Sequence, residues 1–71
     1  MIGKNKYYAM VLDNNAGVYY GAEVKEIVLI DVNGDALVKL NNSGDLRIIN
    51  IKNIFDNMYT LYLKLQIANK N

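Results

Sequence analysis

Tyrosines are the side chains of this chain best suited to binding another molecule. An exposed tyrosine combines an apolar ring with a polar hydroxyl, which suits protein interfaces and stacking on nucleic-acid bases. Neighbouring strand residues point to opposite faces, so one ring of a tandem pair can join the core while the other faces outward. Packing on a half-buried sheet face accounts for the same residues without a partner. The six tyrosines are Tyr7, Tyr8, Tyr19, Tyr20, Tyr59 and Tyr62.

Basic residues could accompany these rings, but lysine and arginine are scattered and form no run. A formal net charge of +1 argues against a partner held mainly through phosphates. Lysines on strands also discourage edge-to-edge aggregation, which explains them without a ligand. The residues predicted to bind a partner are Tyr8, Tyr19, Tyr20, Arg47, Lys52, Tyr59 and Tyr62.

The sequence has almost none of the side chains that nucleophilic catalysis requires. Histidine and cysteine are absent, and Ser43 and Thr60 are the only non-phenolic hydroxyls, so one subunit cannot assemble a Ser-His-Asp or Cys-His system. Asp31 and Asp35 could face each other across a turn, but solvated carboxylates at a hairpin end explain them more simply. We predict no catalytic residue and no enzyme activity.

A calcium loop is suggested and then excluded by the segment 31–35, where oxygen ligands alternate. The position that needs glycine is Ala36, the ninth position is Lys39, and the twelfth, where a carboxylate should close the site, is Asn42. The glycines are isolated, so no phosphate-binding loop occurs either. We predict no metal and no cofactor.

The chain is short enough for one domain over residues 1–71. A chain of this size buries only roughly 60% of its unfolded surface, and without cysteine or histidine it has no disulfide or zinc to stabilise it. Self-association is the remaining source of stability, so a homo-oligomer is expected. The lack of cysteine favours a reducing, cytoplasmic setting.

Membrane insertion and secretion are not expected, because the longest apolar stretch is Ile27–Ile30 and no signal-peptide core follows the N-terminal lysines. Asparagine is abundant, with 11 residues, while proline, tryptophan, cysteine and histidine are missing. That bias favours an AT-rich genome, including that of a phage or plasmid.

Short β-forming segments separated by turn formers dominate the first 52 residues. Strands are predicted over 6–12, 18–32, 35–40 and 46–52, with turns over 13–17 and 41–45 and a bend at Gly21. Asn33-Gly34 predicts a two-residue hairpin turn, because both residues tolerate positive φ. That turn would place Val32 opposite Asp35, Ile30 opposite Leu37 and Val28 opposite Lys39.

The C-terminal segment carries two patterns. Residues 59–67 alternate apolar and polar as a strand would, whereas a second set of apolar residues forms a helical stripe behind Asp56 as a cap. We favour the strand because a helix would leave Leu63 and Ile67 on its polar side. The predicted fold is all-β, a five-stranded antiparallel meander or SH3-like or Sm-like barrel, with a barrel plus C-terminal helix as the alternative.

The middle of the chain resembles two families of small barrels. A central hairpin, a polar turn and a closing strand are similar to the SH3-like and Tudor-like pattern, carried by residues 21–24, 36–40, 44 and 51–54. Residues 38–42 and 55–58 resemble pieces of the first Sm motif of ring-forming RNA-binding barrels. The Sm resemblance implies that Asn57 and Met58 lie where that family contacts RNA.

Two functions are consistent with these features. We expect a non-enzymatic interaction module, a self-associating adaptor or inhibitor that binds another protein. The alternative is a single-stranded nucleic-acid-binding protein that stacks bases on outward tyrosines and holds phosphates with Arg47 or Lys52.

Overall fold

Five antiparallel strands and one helix make up the fold in a computed structural model that describes residues 6–41 and 44–70. The strand order is β4-β3-β2-β1-β5, which confirms the predicted meander in its helix-bearing form. The elements are β1 (Tyr7–Asp13), β2 (Val18–Ile30), β3 (Asp35–Leu40), β4 (Leu46–Asn50), a 3₁₀ turn (Ile51–Asn53), β5 (Ile54–Phe55) and α1 (Met58–Ala68). Residues 42 and 43 of the predicted second turn, and Lys4, lie outside the described residues.

Strand β2 pairs with β1 along its first part and with β3 along its second part, and this change of partner curls the sheet. Its residues 18–24 pair with β1 and its residues 24–30 pair with β3. The predicted bend at Gly21 is wrong, since Gly21 pairs regularly with Met10. The pairing slips instead at Lys25 and at Val28, where the register with β3 shifts. Such bulges increase local twist and bend, and they suffice to turn one long strand from one partner to the next.

The β2–β3 hairpin forms where Asn33-Gly34 predicts it, but the predicted register is wrong. Asp31 and Asp35 close a three-residue loop, with Gly34 N donating to Asp31 O at 3.1 Å and Asp31 N donating to Asp35 O at 2.9 Å. Of the two residues Asn33 and Gly34, only Gly34 has positive φ. Asp31 Oδ1 also accepts from Asn33 N at 2.8 Å and from Asp35 N at 2.9 Å. This carboxylate therefore stabilises a tight turn followed by a glycine bulge, which is the usual three-residue hairpin loop.

The longer loop moves every pair in the hairpin. Leu29 now lies opposite Leu37, where Ile30 was predicted, a slip of one residue. Glu26 lies opposite Lys39, where Val28 was predicted, because the bulge at Val28 adds a second residue to the slip. Since side chains alternate between faces, a one-residue slip exchanges the faces. Leu29 consequently joins the outward face of the sheet.

The core lies on the concave side of the curled sheet and is built from small residues. Alternate positions of β1, β2 and β3 are buried, joined by one residue of β4. Tyr7 and Tyr20 pack at its margin, so one ring of each tandem pair joins the core as predicted. The core residues are Ala9, Val11, Ala22, Val24, Ala36, Val38, Leu40 and Ile49.

The favoured C-terminal strand is wrong, because Met58–Ala68 is a helix. Asn57, not Asp56, caps it: Asn57 Oδ1 accepts from Thr60 N at 2.8 Å. No glycine or proline interrupts the segment, and an isolated helix of this length is marginal in water, so tertiary packing decides. Leu61 is 3% exposed, and this burial outweighs the exposure of Leu63 and Ile67.

Gly21 lets α1 lie directly on the outward side of β1 and β2. A Cβ placed on Gly21 would lie 2.7 Å from Leu61 Cδ2 and 3.4 Å from Leu65 Cδ1. Real side chains do not approach that closely, so the leucine occupies the space that any other residue would need. Gly21 thus serves helix packing and not strand bending.

We expect Gly21→Val to destabilise the fold by about 1–3 kcal/mol, because the added methyl groups overpack the contact with Leu61. The Leu61→Ala change should cost about 2–5 kcal/mol on its own. Urea unfolding of both variants and of the double variant measures the coupling. The loss in the free energy of unfolding of the double variant should be smaller than the sum of the two single losses. Strictly additive losses would contradict this contact.

Candidate partner-binding surfaces

The predicted partner-binding residues fall into two groups on the structure. Tyr19, Tyr20 and Arg47 border neighbouring clefts at the end of β1, whereas Tyr8 and Tyr62 line a groove beside α1. Tyr59 is on the exposed side of α1, and Lys52 is in the exposed 3₁₀ turn. The seven residues therefore do not form one continuous surface.

The first cleft lies between β1 and β4 and has mixed lining. It holds about 280 Å³ and is bordered by Tyr19, Arg47 and the amides of Asn14, Asn50 and Asn53. The turn that carries Asn14 is held by Asp13, whose Oδ1 accepts from two backbone N–H groups. Within the described ranges, the Arg47 guanidinium forms no ion pair. Its charge is therefore available to a bound molecule.

The Asn50 side chain is less available to a bound molecule than its position in the cleft suggests. Its Nδ2 donates to Asp35 Oδ1 at 3.1 Å, and its Oδ1 accepts from Lys52 N at 3.1 Å. The side chain therefore joins β3, β4 and the 3₁₀ turn. Its role in this cleft is to support the wall, while Arg47 and the tyrosines carry the binding capacity.

The second site is an apolar groove between α1 and the outward face of β1 and β2. Tyr8, Met58, Tyr62 and Leu65 border it, with Gly21 in its floor, and it holds about 340 Å³. Asn57 and Met58, the positions implied by the Sm resemblance, are here the cap and first residue of α1. They serve the helix end and the groove.

Asn69 fixes the far end of α1 on β2. Its Oδ1 accepts from Tyr19 N at 2.8 Å and its Nδ2 donates to Tyr19 O at 3.0 Å. This part of β2 pairs with β1 on one side only, so the side-chain amide takes the place of a neighbouring strand. With Leu61 at the other end, this pair of bonds sets which side of α1 faces outward.

The outward side of α1 carries a row of apolar residues, here called the α1 stripe. Each member has another member three or four residues away, as neighbours on one face of a helix do. Gln66 is its one polar member, and Tyr59 and Ile67 are 74% and 69% exposed. The α1 stripe consists of Tyr59, Tyr62, Leu63, Gln66 and Ile67.

A further apolar surface, missed by the sequence reasoning, lies at the free end of the β2–β3 hairpin. Leu29, Leu37 and Ile48 lie side by side across three strands on the outward face, and Ile48 is 74% exposed. The sequence signal was the run Ile27–Ile30, which is apolar at successive positions and so cannot bury all its side chains on one face. Ile30 lies opposite Ala36 and so belongs to the other face of the sheet. This hairpin patch consists of Val28, Leu29, Val32, Ile48 and Ile51.

Comparison with known proteins returned no match among family models, curated proteins or solved structures. In the part of the chain that the structure describes, no group of three or more acidic residues is placed to hold a metal ion. No helix within the same residues has the length and apolar character that crossing a bilayer requires. The function proposed below is therefore based on these surfaces.

Proposed function

We propose that this protein is a non-enzymatic interaction module that associates with itself and binds another protein, as an adaptor or inhibitor does. The observation that carries the proposal is the uneven covering of the sheet. Helix α1 covers the outward face of β1 and β2, whereas Leu29 and Ile48 on the outward face of β2 and β4 remain exposed. A second protein would complete the layer that α1 begins.

The size and chemistry of the hairpin patch support this role. Its five side chains together expose roughly 500 Å², within the range of the largest apolar patch usual on a monomer. No charged residue belongs to the patch, while Asp31 and Asp35 in the turn and the opposed pair Glu26 and Lys39 lie next to it. An apolar centre with a polar rim is the usual anatomy of a protein interface.

The carboxylates and the topology agree with a binding role. Asp13 and Asp31 accept backbone N–H groups in turns, so these side chains act in the scaffold. The hairpin β2–β3, the polar turn after it and the closing pair of β5 with β1 match the order of elements in the SH3-like resemblance. We infer that the fold is an SH3-like variant with α1 added.

Affinity capture with a matched pair of variants tests the hairpin patch. Ile48→Glu places a charge in the patch, and Ile67→Glu places the same charge at a similarly exposed site on α1. From cells that express the chain, a protein retained by wild type and by Ile67→Glu should be lost, by at least tenfold, with Ile48→Glu. Equal retention by wild type and Ile48→Glu would contradict the proposal.

A second candidate function is single-stranded nucleic-acid binding at the cleft between β1 and β4. The observation in its favour is that the structure brings Arg47 to Tyr19, with Asn14 beside them. A guanidinium can hold a phosphate while a tyrosine ring stacks on a base. The near-neutral charge of the chain makes this the weaker candidate.

Fluorescence anisotropy with labelled oligonucleotides tests this second candidate. Arg47→Ala should weaken binding roughly fivefold or more at low salt, because it removes the unpaired charge of the cleft. Lys64→Ala removes the same charge from α1, outside the cleft, and should leave binding unchanged. The absence of any binding at low salt would rule out a nucleic-acid partner.

A further inference from the structure

Helix α1 has too few polar residues for a helix with one side in solvent. It is apolar on the side that Leu61 and Leu65 turn to the sheet, and the opposite side is the α1 stripe. Lys64 is its only charged residue, and it lies one turn from Thr60, outside the stripe. A helix that is hydrophobic all round is normally buried all round. The stripe is the side of α1 that residues 6–41 and 44–70 leave uncovered.

We propose that a second copy of this chain covers the stripe, so that two α1 helices pack against each other about a two-fold axis. This inference rests on the proposed self-association and names its surface. It adds that α1 is the dimer interface and that the hairpin patch stays free for the other partner.

The area of the stripe supports a copy of the same chain as the occupant. Its four apolar side chains expose roughly 550 Å², so a symmetric pair would bury roughly 1,100 Å², just above the area that a specific interface requires. The groove beside the stripe, with Tyr8 and Leu65 in its wall, adds area on each copy. A two-fold axis presents the same apolar patch on both sides, so each stripe meets an equally uncharged surface.

The charges at the two ends of α1 select the antiparallel arrangement. Asp56 lies just before the helix and Lys70 just after it, beyond the two ends of a helix about 16 Å long. Antiparallel packing brings Asp56 of each copy towards Lys70 of the other and opposes the two helix dipoles favourably. Parallel packing would instead place like charges together at both ends.

The polar member of the stripe fits this arrangement. With the helices antiparallel and Leu63 at the axis, Tyr59 of one copy lies opposite Gln66 and Ile67 of the other. The Gln66 amide can then hydrogen bond with the phenolic hydroxyl across the interface. At each end of the interface, the Gln66 amide and the Tyr59 hydroxyl are thus hydrogen-bond partners for each other when both become buried.

Sedimentation velocity on the full chain tests the dimer, at about 100 µM where an interface of this size should be occupied. Wild type should have twice the mass of one 8.0 kDa chain. Ile67→Glu should weaken dimerisation at least tenfold, because it buries a charge. Ile48→Glu, with the same substitution at a similarly exposed site, should remain dimeric. A monomeric wild type, or equal behaviour of the two variants, would overturn the inference.

Two further sets of variants test the stripe and the antiparallel arrangement separately. Tyr59→Glu should act like Ile67→Glu, and far-UV circular dichroism on both must show a folded protein. Asp56→Lys should weaken the dimer severalfold at low salt, and adding Lys70→Asp should restore it. Failure of that exchange to restore the dimer would overturn the antiparallel arrangement. Because capture by the hairpin patch is followed with Ile48→Glu, the dimer and the partner-binding function can fail independently.

Discussion

The close approach of Leu61 to Gly21 is the contact on which the rest of the structure depends. The core on the concave side is built largely from alanine and valine, and a chain of this size has little other apolar surface to bury. Packing α1 on the outward side of β1 and β2 gives the sheet a second buried layer. The close seating of Leu61 in that layer depends on the absence of a side chain at residue 21.

The same contact decides what the surface presents. With Leu61 over Gly21 and Asn69 bonded to Tyr19, α1 cannot turn about its axis, so its outward residues are the same in every molecule. The remaining half of the outward sheet face has no helix over it. One small scaffold thereby displays two apolar surfaces, on α1 and at the hairpin end, separated by the covered strands.

Local sequence signals predicted the strands well, because alternation, β-branched residues and turn formers act over a few neighbours. They identified the Asn33-Gly34 hairpin but not its loop length, which depends on a side chain outside the dipeptide, that of Asp31. The segment 59–67 fits both a strand and a helix by pattern. The choice was made by packing against Gly21, nearly forty residues away in sequence, and single-sequence patterns do not contain that information.

The candidate sites likewise divide into features that local sequence patterns predicted and features that depend on the three-dimensional fold. The prediction that one tyrosine of each pair joins the core needed only alternation, and Tyr7 and Tyr20 confirm it. The grouping of Arg47 with Tyr19, and the hairpin patch beside it, depend on register and curvature. The α1 stripe could be recognised only once the segment was known to be helical, since Tyr59 and Tyr62 share a face in a helix but point to opposite faces in a strand.

Residue-resolved amide hydrogen exchange on the wild-type chain tests most directly whether α1 is docked on the sheet. An isolated helix of this length is marginal in water, so protection of its amides in a dilute, monomeric sample can arise only from packing on the sheet. The account predicts that the amides of Leu61 and Leu65 exchange on the same timescale as those of β1 and β2. Exchange of these amides at the rate of an unstructured peptide, while the strands stay protected, would contradict it.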